Sequence, residues 1–384
     1  MLNLKNIAFK MLSSDSNSWW LFPLFLISIL FKSIIGLRNY FYNTGIFRIR
    51  KLGCKVISVG NITVGGTGKT PMVIMLANLL RDRGYRPVIL SRGYGGKQKN
   101  RINVVSDGEN ICMNFQMAGD EPVLIAKSVR NTPVITGKNR YLTGRYAVDN
   151  FGADVLILDD AFQHRSLFRD IDIVLLDNER PFGNGFVIPR GELREPANAL
   201  GRADVIVKTG IKDRDQGSGV RGQAAGDRDQ GPGDRDQGPG GRDQGSKDRD
   251  QAPVYNAYRI PKSLLKAGTG VIYPLDYLRA KKVLAFAGIA RPDSFKRTIA
   301  SVGGETAAFL VFPDHQVYTR DDIMQIEKAA TQCAAQVILT TEKDGIKLID
   351  FPDFLRDIYQ LKIEMEVSPS RGEFENIILK KLET

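Results

Sequence analysis

A glycine-rich loop between an apolar strand and a helix constrains the fold of this chain more than any other feature. Residues 56–71 read VISVGNITVGGTGKTP, and helical periodicity continues to residue 83. Glycine lets backbone N–H groups close around phosphate oxygens because no Cβ crowds them, and the following helix N-terminus adds partial positive charge. A strand, a glycine-rich loop and a helix in this order predict a phosphate-binding loop (P-loop).

The P-loop supplies candidate contacts to ATP. Lys69 would reach the β and γ phosphates, and the Thr70 hydroxyl would ligate Mg²⁺. One position departs from the usual G-x-x-x-x-G-K-[ST] pattern, since Thr63 stands where the first glycine is expected. The strand-to-helix context still favours nucleotide binding over a glycine-rich turn that binds nothing. The predicted ATP-binding residues are Thr63, Val64, Gly65, Gly66, Thr67, Gly68, Lys69 and Thr70.

Apolar strands alternate with amphipathic helices on both sides of a low-complexity segment. This order predicts an α/β fold, a P-loop NTPase-like doubly wound parallel sheet with a second, smaller α/β domain. The predicted strands are 56–60, 86–90, 134–136, 155–158, 173–177, 205–208, 283–287, 308–312 and 337–340. The predicted helices of the smaller domain are 294–302, 320–335 and one near 373–382.

Composition divides the chain into four segments. Residues 211–252 repeat DRDQG with variations and contain almost no apolar side chain, so they predict a disordered insertion. Their opposite charges nearly cancel, which argues against a nucleic-acid-binding tail. We therefore expect a membrane-associating segment at 1–52, a P-loop kinase domain at 53–210, the insertion, and a smaller domain at 253–384.

The N-terminal segment is basic and apolar. It carries seven Lys or Arg residues and one Asp, which is +6 of the formal net charge of +11. The run WWLFPLFLISILF at 19–31 is shorter than the roughly 20 residues that span a bilayer as a helix. It is typical of a helix in the membrane interface, although a signal peptide or a buried helix would be alternatives. Three widely separated cysteines indicate neither a disulfide framework nor a zinc site and fit the reducing cytosol.

Two apolar segments end in carboxylates that could bind Mg²⁺ beside the P-loop. VLILDD places Asp159 and Asp160 after one strand, and IVLLD places Asp177 after another. We assign the Walker-B role to Asp159 and Asp160 and keep Asp177 as the alternative. The double aspartate could also be a helix cap.

The remaining polar residues are ambiguous by themselves. His164 and His315 are the only histidines, and a lone histidine is more often a surface or core residue than a functional one. Asp120 in AGDEP could be a helix N-cap. Arg and Glu residues in TGKNR and IPRGELREP could hold an anionic sugar phosphate or form surface salt bridges.

Eight motifs occur in order along the chain: GNITVGGTGKTP, SRGYGG, AGDEP, LDDAFQHR, FGNGFVIPRGELREP, FAGIARPDSF, FPDHQVYT and LTTEKDG. Together they resemble the tetraacyldisaccharide 4′-kinase family of the lipid A pathway, over about residues 18–210 and 253–350. The resemblance implies transfer of phosphate from ATP to the 4′-hydroxyl of a tetraacylated glucosamine disaccharide 1-phosphate. It also implies an enzyme that is peripheral or monotopic at the cytoplasmic face of the bacterial inner membrane.

The same resemblance assigns residue roles. Asp120 becomes the catalytic base, paired with His315 from the second domain, while Thr70, Asp159 and Asp160 hold Mg²⁺. Candidates for holding the sugar and its phosphate are Arg140, His164, Arg194 and Glu195. The implied partners are the acylated lipid and the membrane surface, with no nucleic acid and no obligate protein partner.

A membrane-associated P-loop ATPase switch is the main alternative function. Such proteins combine a GGxGKT loop with an amphipathic segment, but their loop usually begins with Lys-Gly-Gly. Val64 stands at that lysine position here. The alternative predicts partner-stimulated ATP hydrolysis without a lipid product.

Overall fold

The structure is a computed structural model that describes residues 21–98, 100–211 and 252–383, and one mixed β-sheet runs through it. The strands are β1 Lys55–Asn61, β2 Pro87–Ser91, β3 Asn103–Ser106, β4 Val134–Thr136, β5 Val155–Asp159, β6 Ile171–Asp177, β7 Val205–Ile211, β8 Val254–Lys266, β9 Ile272–Tyr273, β10 Lys282–Ala287, β11 Glu305–Val311, β12 Val337–Thr341 and β13 Ile358–Val367. The helices are α1 Phe22–Asn43, α2 Lys69–Asp82, α3 Phe115–Ala118, α4 Asp120–Ser128, α5 Arg140–Phe151, α6 Pro292–Ser301, α7 Arg320–Gln332, α8 Glu342–Ile346, α9 Pro352–Arg356 and α10 Arg371–Glu383.

The sheet topology brings three strand ends together at the P-loop. The strand order is β11-β10-β12-β13-β8-β7-β6-β1-β5-β2-β4-β3, and β9 pairs with β8. Strand β1 lies between β5 and β6 and is parallel to both. Because parallel strands end at the same edge of a sheet, the loop after β1 lies beside the ends of β5 and β6.

Helices cover both faces of the sheet, and consecutive residues of the central strands are buried on both sides. In β1, Val56 packs in one core with Ala147 of α5, whereas Ile57 packs on the opposite face with Leu76 of α2. The predicted doubly wound α/β fold is therefore confirmed, and α2, predicted to continue to residue 83, ends at Asp82.

The second region has the same layered construction. Ala285 of β10 packs with Phe295 of α6, and the neighbouring Phe286 packs with Ile326 of α7 on the other face. The predicted smaller α/β unit is thus confirmed as a layered structure.

One long strand joins the two regions into a single sheet. Strand β8 is parallel to β7 of the first region and antiparallel to β13 of the second. Helix α10 returns to the first region, where Phe374 and Ile378 lie in the same core as Ile57. The division at 53–210 and 253–384 stays a prediction, and the predicted insertion lies outside the described residues except at its two ends.

Helix α1 has one face on the protein and an apolar face exposed. Ser28 and Ile35 are buried, whereas Leu26, Leu30 and Ile34 are 50%, 62% and 56% exposed. Over the described residues, α1 is the one helix long and apolar enough to cross a membrane by length and composition. At 22 residues it is longer than the 13-residue apolar run predicted. The first 20 residues of the predicted membrane-associating segment lie outside the described residues.

Candidate active site

The P-loop is held from both sides before it enters α2. The Thr67 hydroxyl accepts a hydrogen bond from the Asn61 amide (3.1 Å), and its carbonyl accepts one from the Thr209 hydroxyl of β7 (2.9 Å). Gly68 takes a φ of +83° at the N-cap of α2, a left-handed conformation that glycine adopts without a Cβ penalty. The backbone N–H of Val64 donates to the carbonyl of Glu192 (2.7 Å). These contacts fix the loop in a shape that suits a phosphate group.

Three charged side chains meet at the open end of the P-loop. The Asp160 carboxylate accepts hydrogen bonds from Arg194 Nη1 at 2.8 Å to each oxygen, and Lys69 Nζ lies 3.6 Å from it. Burial alone would raise the Asp160 pKa, but Lys69 and Arg194 bring it below its ordinary value. Asp160 is therefore ionised, and it has a φ of +51°, an uncommon conformation for a residue other than glycine.

Asp159 has a different environment from its neighbour. It is 3% exposed and accepts a hydrogen bond from the Ser91 hydroxyl (3.1 Å). Burial, with the nearby charges of Glu121 and Asp160, raises the Asp159 pKa to about 7. Three carboxylates thus converge near the P-loop, and the nearby cations Lys69 and Arg140 do not offset the burial of Asp159.

Asp120 and His315 meet across the two regions of the chain. Asp120 is the first residue of α4, and His315 follows β11; His315 Nδ1 lies 3.0 Å from each Asp120 carboxylate oxygen. Burial would raise the Asp120 pKa, but the His315 hydrogen bond and the charges of Lys343 and Lys347 lower it. The hydrogen bond to Asp120 raises the pKa of His315 despite burial. The two shifts together favour a carboxylate paired with an imidazolium.

Lys343, which the sequence analysis did not single out, is the cation at the centre of this contact. Its Nζ lies 3.2 Å from Glu121, 3.3 Å from Asp314 and 3.8 Å from Asp120. Burial would lower its pKa, but the three carboxylates raise it above the ordinary value. The LTTEKDG motif, which contains Lys343, was the one sequence feature that could have indicated a role for this lysine. Its carboxylate partners lie far away in sequence.

The four predicted substrate-binding residues fall into two groups. Arg194 and His164 lie on the loops after β6 and β5, near Asp160. Burial and the positive charges of Arg140 and Arg169 lower the His164 pKa to about 4, and its Nε2 contacts the Ser166 hydroxyl (3.1 Å). His164 is therefore neutral at physiological pH.

The other two residues are buried and bonded to protein groups. Arg140 is 3% exposed and donates to the carbonyls of Gly137 and Asp159, both at 3.0 Å. Glu195 is fully buried and ion-paired with Arg38 and Arg202. Their substrate contacts remain predictions, and the observed bonds give both residues a role in holding the loops around the site.

Asp177, the alternative Walker-B carboxylate, is engaged elsewhere. It is 4% exposed, accepts from the backbone N–H groups of Glu179 and Arg180, and forms an ion pair with Arg291 of the second region. These contacts cap the end of β6, whereas Asp160 contacts the P-loop lysine directly. The choice of Asp159 and Asp160 as the Mg²⁺ ligands stays a prediction.

Known proteins resemble this chain along nearly its whole length. The family model described as tetraacyldisaccharide-1-P 4′-kinase matches residues 18–383. The tetraacyldisaccharide 4′-kinase of Syntrophus aciditrophicus (strain SB) is 47% identical over 359 residues, which cover 93% of this chain and 92% of the relative. That of Desulfatibacillum aliphaticivorans is 38% identical over 366 residues, again 93% and 92% of the two chains.

The fold is also shared with a solved structure. The crystal structure of LpxK from Aquifex aeolicus in complex with ATP is 30% identical, has a TM-score of 0.70, and covers 94% of this chain and 98% of that one. The family model, the relatives and this structure all belong to the family that the eight motifs resemble. This chain therefore belongs to the tetraacyldisaccharide-1-P 4′-kinase family.

Proposed function

We propose that this chain, an ATP-dependent tetraacyldisaccharide 4′-kinase of lipid A biosynthesis, transfers the γ-phosphate with Asp120 as the base. The proposal rests on one observation above all. Asp120, whose neighbour Glu121 is close enough to Asp159 to raise the Asp159 pKa, is paired with a histidine contributed by the other region. The pair of Asp120 and His315 forms only when the two regions are in contact. This suits a reaction in which one group is transferred between two substrates.

The P-loop would bind the phosphates of ATP. Backbone N–H groups from Gly65 to Thr70 would surround the β-phosphate, and Lys69 would neutralise charge on the β and γ phosphates. Lys69 would exchange its contact with Asp160 for a contact with phosphate. Arg194, which is bonded to Asp160 through a single nitrogen, keeps further donors available.

The carboxylates at the end of β5 fit a divalent cation. Oxygen donors suit Mg²⁺, and Asp159 and Asp160 place carboxylate oxygens at the end of β5, with Asp160 beside the P-loop lysine. Among the described residues no group of three or more acidic, histidine or cysteine side chains could hold a metal alone. Kinases usually bind Mg²⁺ through one or two carboxylates, and substrate phosphates and waters complete the coordination shell. Thr70, Asp159 and Asp160 would hold the ion, which would neutralise charge on the phosphates.

Asp120 would act on the acceptor hydroxyl. Its lowered pKa keeps it ionised at neutral pH, so it can orient the 4′-hydroxyl and take its proton. The hydroxyl oxygen bonds to the γ-phosphorus while the bond from phosphorus to the β–γ bridging oxygen breaks. ADP leaves with those electrons, and Lys69 stabilises the departing charge. The imidazolium of His315 holds the carboxylate in place.

Helix α1 would bring the enzyme to the membrane, where an acylated substrate resides. Contacts to the protein extend from Ser28 to Asn43, about 22 Å along the helix. A helix fixed along this length lies against the kinase, and its exposed apolar face can enter one leaflet. The cysteines Cys54, Cys112 and Cys333 are free, which fits the cytoplasmic face.

The metal site can be tested through the metal requirement. Asp160→Asn and Asp159→Asn should raise the Mg²⁺ concentration for half-maximal rate, because each removes a candidate ligand while keeping the side-chain shape. Asp177→Asn is the matched control and should leave that concentration unchanged. A raised requirement in Asp177→Asn alone would move the metal site to the end of β6.

A further inference from the structure

Helix α1 lies directly against the two loops that border the P-loop. Ser28 Oγ donates to the carbonyl of Val187 (2.8 Å) and accepts from the backbone N–H of Arg190 (2.9 Å). On the other loop, Arg165 donates to the carbonyl of Asn39 (3.1 Å) and to the side chain of Asn43 (2.8 Å). A helix that served only as a membrane tether would not require these contacts with both loops.

Glu195 is the centre of the contact between α1 and the site. Its carboxylate accepts hydrogen bonds from Arg38 Nη2 (3.0 Å) and Asn39 Nδ2 (3.2 Å) of α1, and from Arg202 Nη2 (2.9 Å). The side chain of Glu195 is 1% exposed, whereas those of Arg38 and Arg202 are 33% and 20% exposed, so a buried carboxylate depends on these partly exposed partners for its hydrogen bonds.

The residue before Glu195 contacts the nucleotide site. Arg194 binds both oxygens of Asp160, and its backbone N–H donates to the carbonyl of Ile62 just before the P-loop (2.7 Å). Residues 192–195 thus lie between α1 and the P-loop, with Glu195 bonded to the helix and Arg194 bonded to Asp160. Because Arg194 and Glu195 are adjacent, a backbone shift at Glu195 would also displace Arg194.

We infer that Arg38 of α1 is a positioning residue for the nucleotide site, acting through Glu195 on the Arg194–Asp160 pair. The inference rests on the nucleotide site proposed above. It makes α1 part of the catalytic structure in addition to its membrane role. A change in the position of α1 on binding a lipid surface would then change the geometry of the ATP site.

The test measures ATP binding without lipid, so that contacts of α1 with the acylated substrate play no part. Arg38→Met removes the hydrogen bond to Glu195 and keeps an apolar stem on the helix. Lys32→Met is the matched control, because Lys32 is an exposed cation of the same helix. Lys69→Ala is the control for the nucleotide site itself. Affinities for Mg-ATP are measured by calorimetry on the full chain in detergent, and vesicle flotation gives membrane binding.

Arg38→Met should weaken ATP binding about tenfold, because it leaves the buried carboxylate of Glu195 without one charged hydrogen bond, while vesicle binding stays near wild type. Arg38→Lys, which can reach Glu195 with one donor, should recover most of the affinity. Lys32→Met should bind ATP as the wild type does. The double variant Arg38→Met/Glu195→Gln should bind ATP little more weakly than Glu195→Gln alone. Both changes break the same contact, between Arg38 and Glu195, so their effects should not add.

Unchanged ATP affinity in Arg38→Met, or a defect confined to the Michaelis constant for lipid, would overturn the inference. If Arg38→Met lowers the thermal midpoint, Asn39→Ala provides the second variant, since it removes the Asn39 hydrogen bonds to Glu195 and to Arg38 but keeps the ion pair of Arg38 with Glu195. Wild-type ATP affinity in Asn39→Ala together with a wild-type midpoint would also contradict it. Retained ATP binding in Lys69→Ala would instead show that the proposed nucleotide site is wrong.

Discussion

Asp120 and His315 are joined by a hydrogen bond between residues 195 positions apart, so their kinetic effects should not be independent. Asp120→Asn keeps the side-chain shape and removes proton acceptance, and losing a general base lowers the rate by about 10²- to 10⁴-fold. His315→Ala should cause a comparable loss. Residues that act as one unit give non-additive losses, so the double variant should be little slower than the slower single variant. Turnover numbers at saturating ATP and lipid decide this, and losses that multiply would assign separate roles.

The two histidines allow a direct test of the pKa shifts at the residue scale. The pKa of His315 should lie above the ordinary histidine value near 6.5, and the pKa of His164 should lie at about 4. The Asp120→Asn variant should lower the His315 value, because the Asp120 hydrogen bond is the main cause of the shift. A raised pKa stabilises the fold below the unfolded value and loses that contribution as the pH rises through the folded value.

Imidazole NMR resonances followed against pH measure both values. Arg169 is an ion-paired cation whose charge lowers the pKa of His164, so an Arg169→Gln variant should raise only the lower of the two values. A single shared value near 6.5 for both histidines would contradict the described environments.

Residue roles can be predicted from the sequence where neighbouring residues would carry the chemistry, and the roles of Lys69, Thr70 and Asp160 stay predictions. Lys69 and Thr70 are adjacent, and Asp160 follows an apolar strand, so local pattern was sufficient. Glu195 could not be understood in this way, because its partner Arg38 lies 157 positions away and only the fold brings them together. Lys343 was missed for the same reason.

The exposed face of helix α1 gives a prediction at the scale of one element. Leu30 and Ile34 are 62% and 56% exposed, so replacing both by Asp should leave the fold intact. Each loses about 1.5–3 kcal/mol of apolar burial in the membrane interface, so vesicle binding should fall by more than about tenfold. Met324→Asp, at an exposed apolar site on α7, is the control.

Vesicle flotation with anionic lipids in moderate salt measures this loss. Full membrane binding by the Leu30/Ile34 double variant would refute α1 as the membrane contact. Loss of binding in Met324→Asp would indicate that any added charge has the same effect.

The sequence indicated most strands but missed two of the longest, and each for a reason. In β13, Leu361, Met365 and Val367 are buried on one side of the strand, which was an available strand signal. In β8, Pro261 argues against a strand because it cannot donate to the ladder. The register with β13 shifts beside it, which shows how the sheet accommodates the proline.

At the scale of the whole molecule, the continuous sheet predicts cooperative unfolding. Phe374 of α10 is fully buried in the core of the first region, and Phe295 is 2% exposed in the core of the second. Replacing either by Ala should cost about 3–5 kcal/mol. Both variants should lower the midpoint of one shared thermal transition, observed by calorimetry.

Two transitions, each moved by only one of these variants, would show that the regions unfold separately. The predicted boundary at 253 would then mark independent domains. Asp353→Ala serves as the control, because the Asp353 side chain is 93% exposed on α9 and its loss should leave the midpoint unchanged.

The central claim, that both regions together transfer the γ-phosphate of ATP to the 4′-hydroxyl of a membrane lipid, has one direct test. The purified chain is incubated with γ-labelled ATP, Mg²⁺ and a tetraacylated disaccharide 1-phosphate in detergent, and the product is examined by phosphorus–proton correlation NMR. Label should enter the lipid, with phosphorus coupled to the proton at the 4′ carbon, and Lys69→Ala and Asp120→Asn should abolish or strongly reduce it. ATP hydrolysis without labelled lipid, or phosphate at another hydroxyl, would contradict the account.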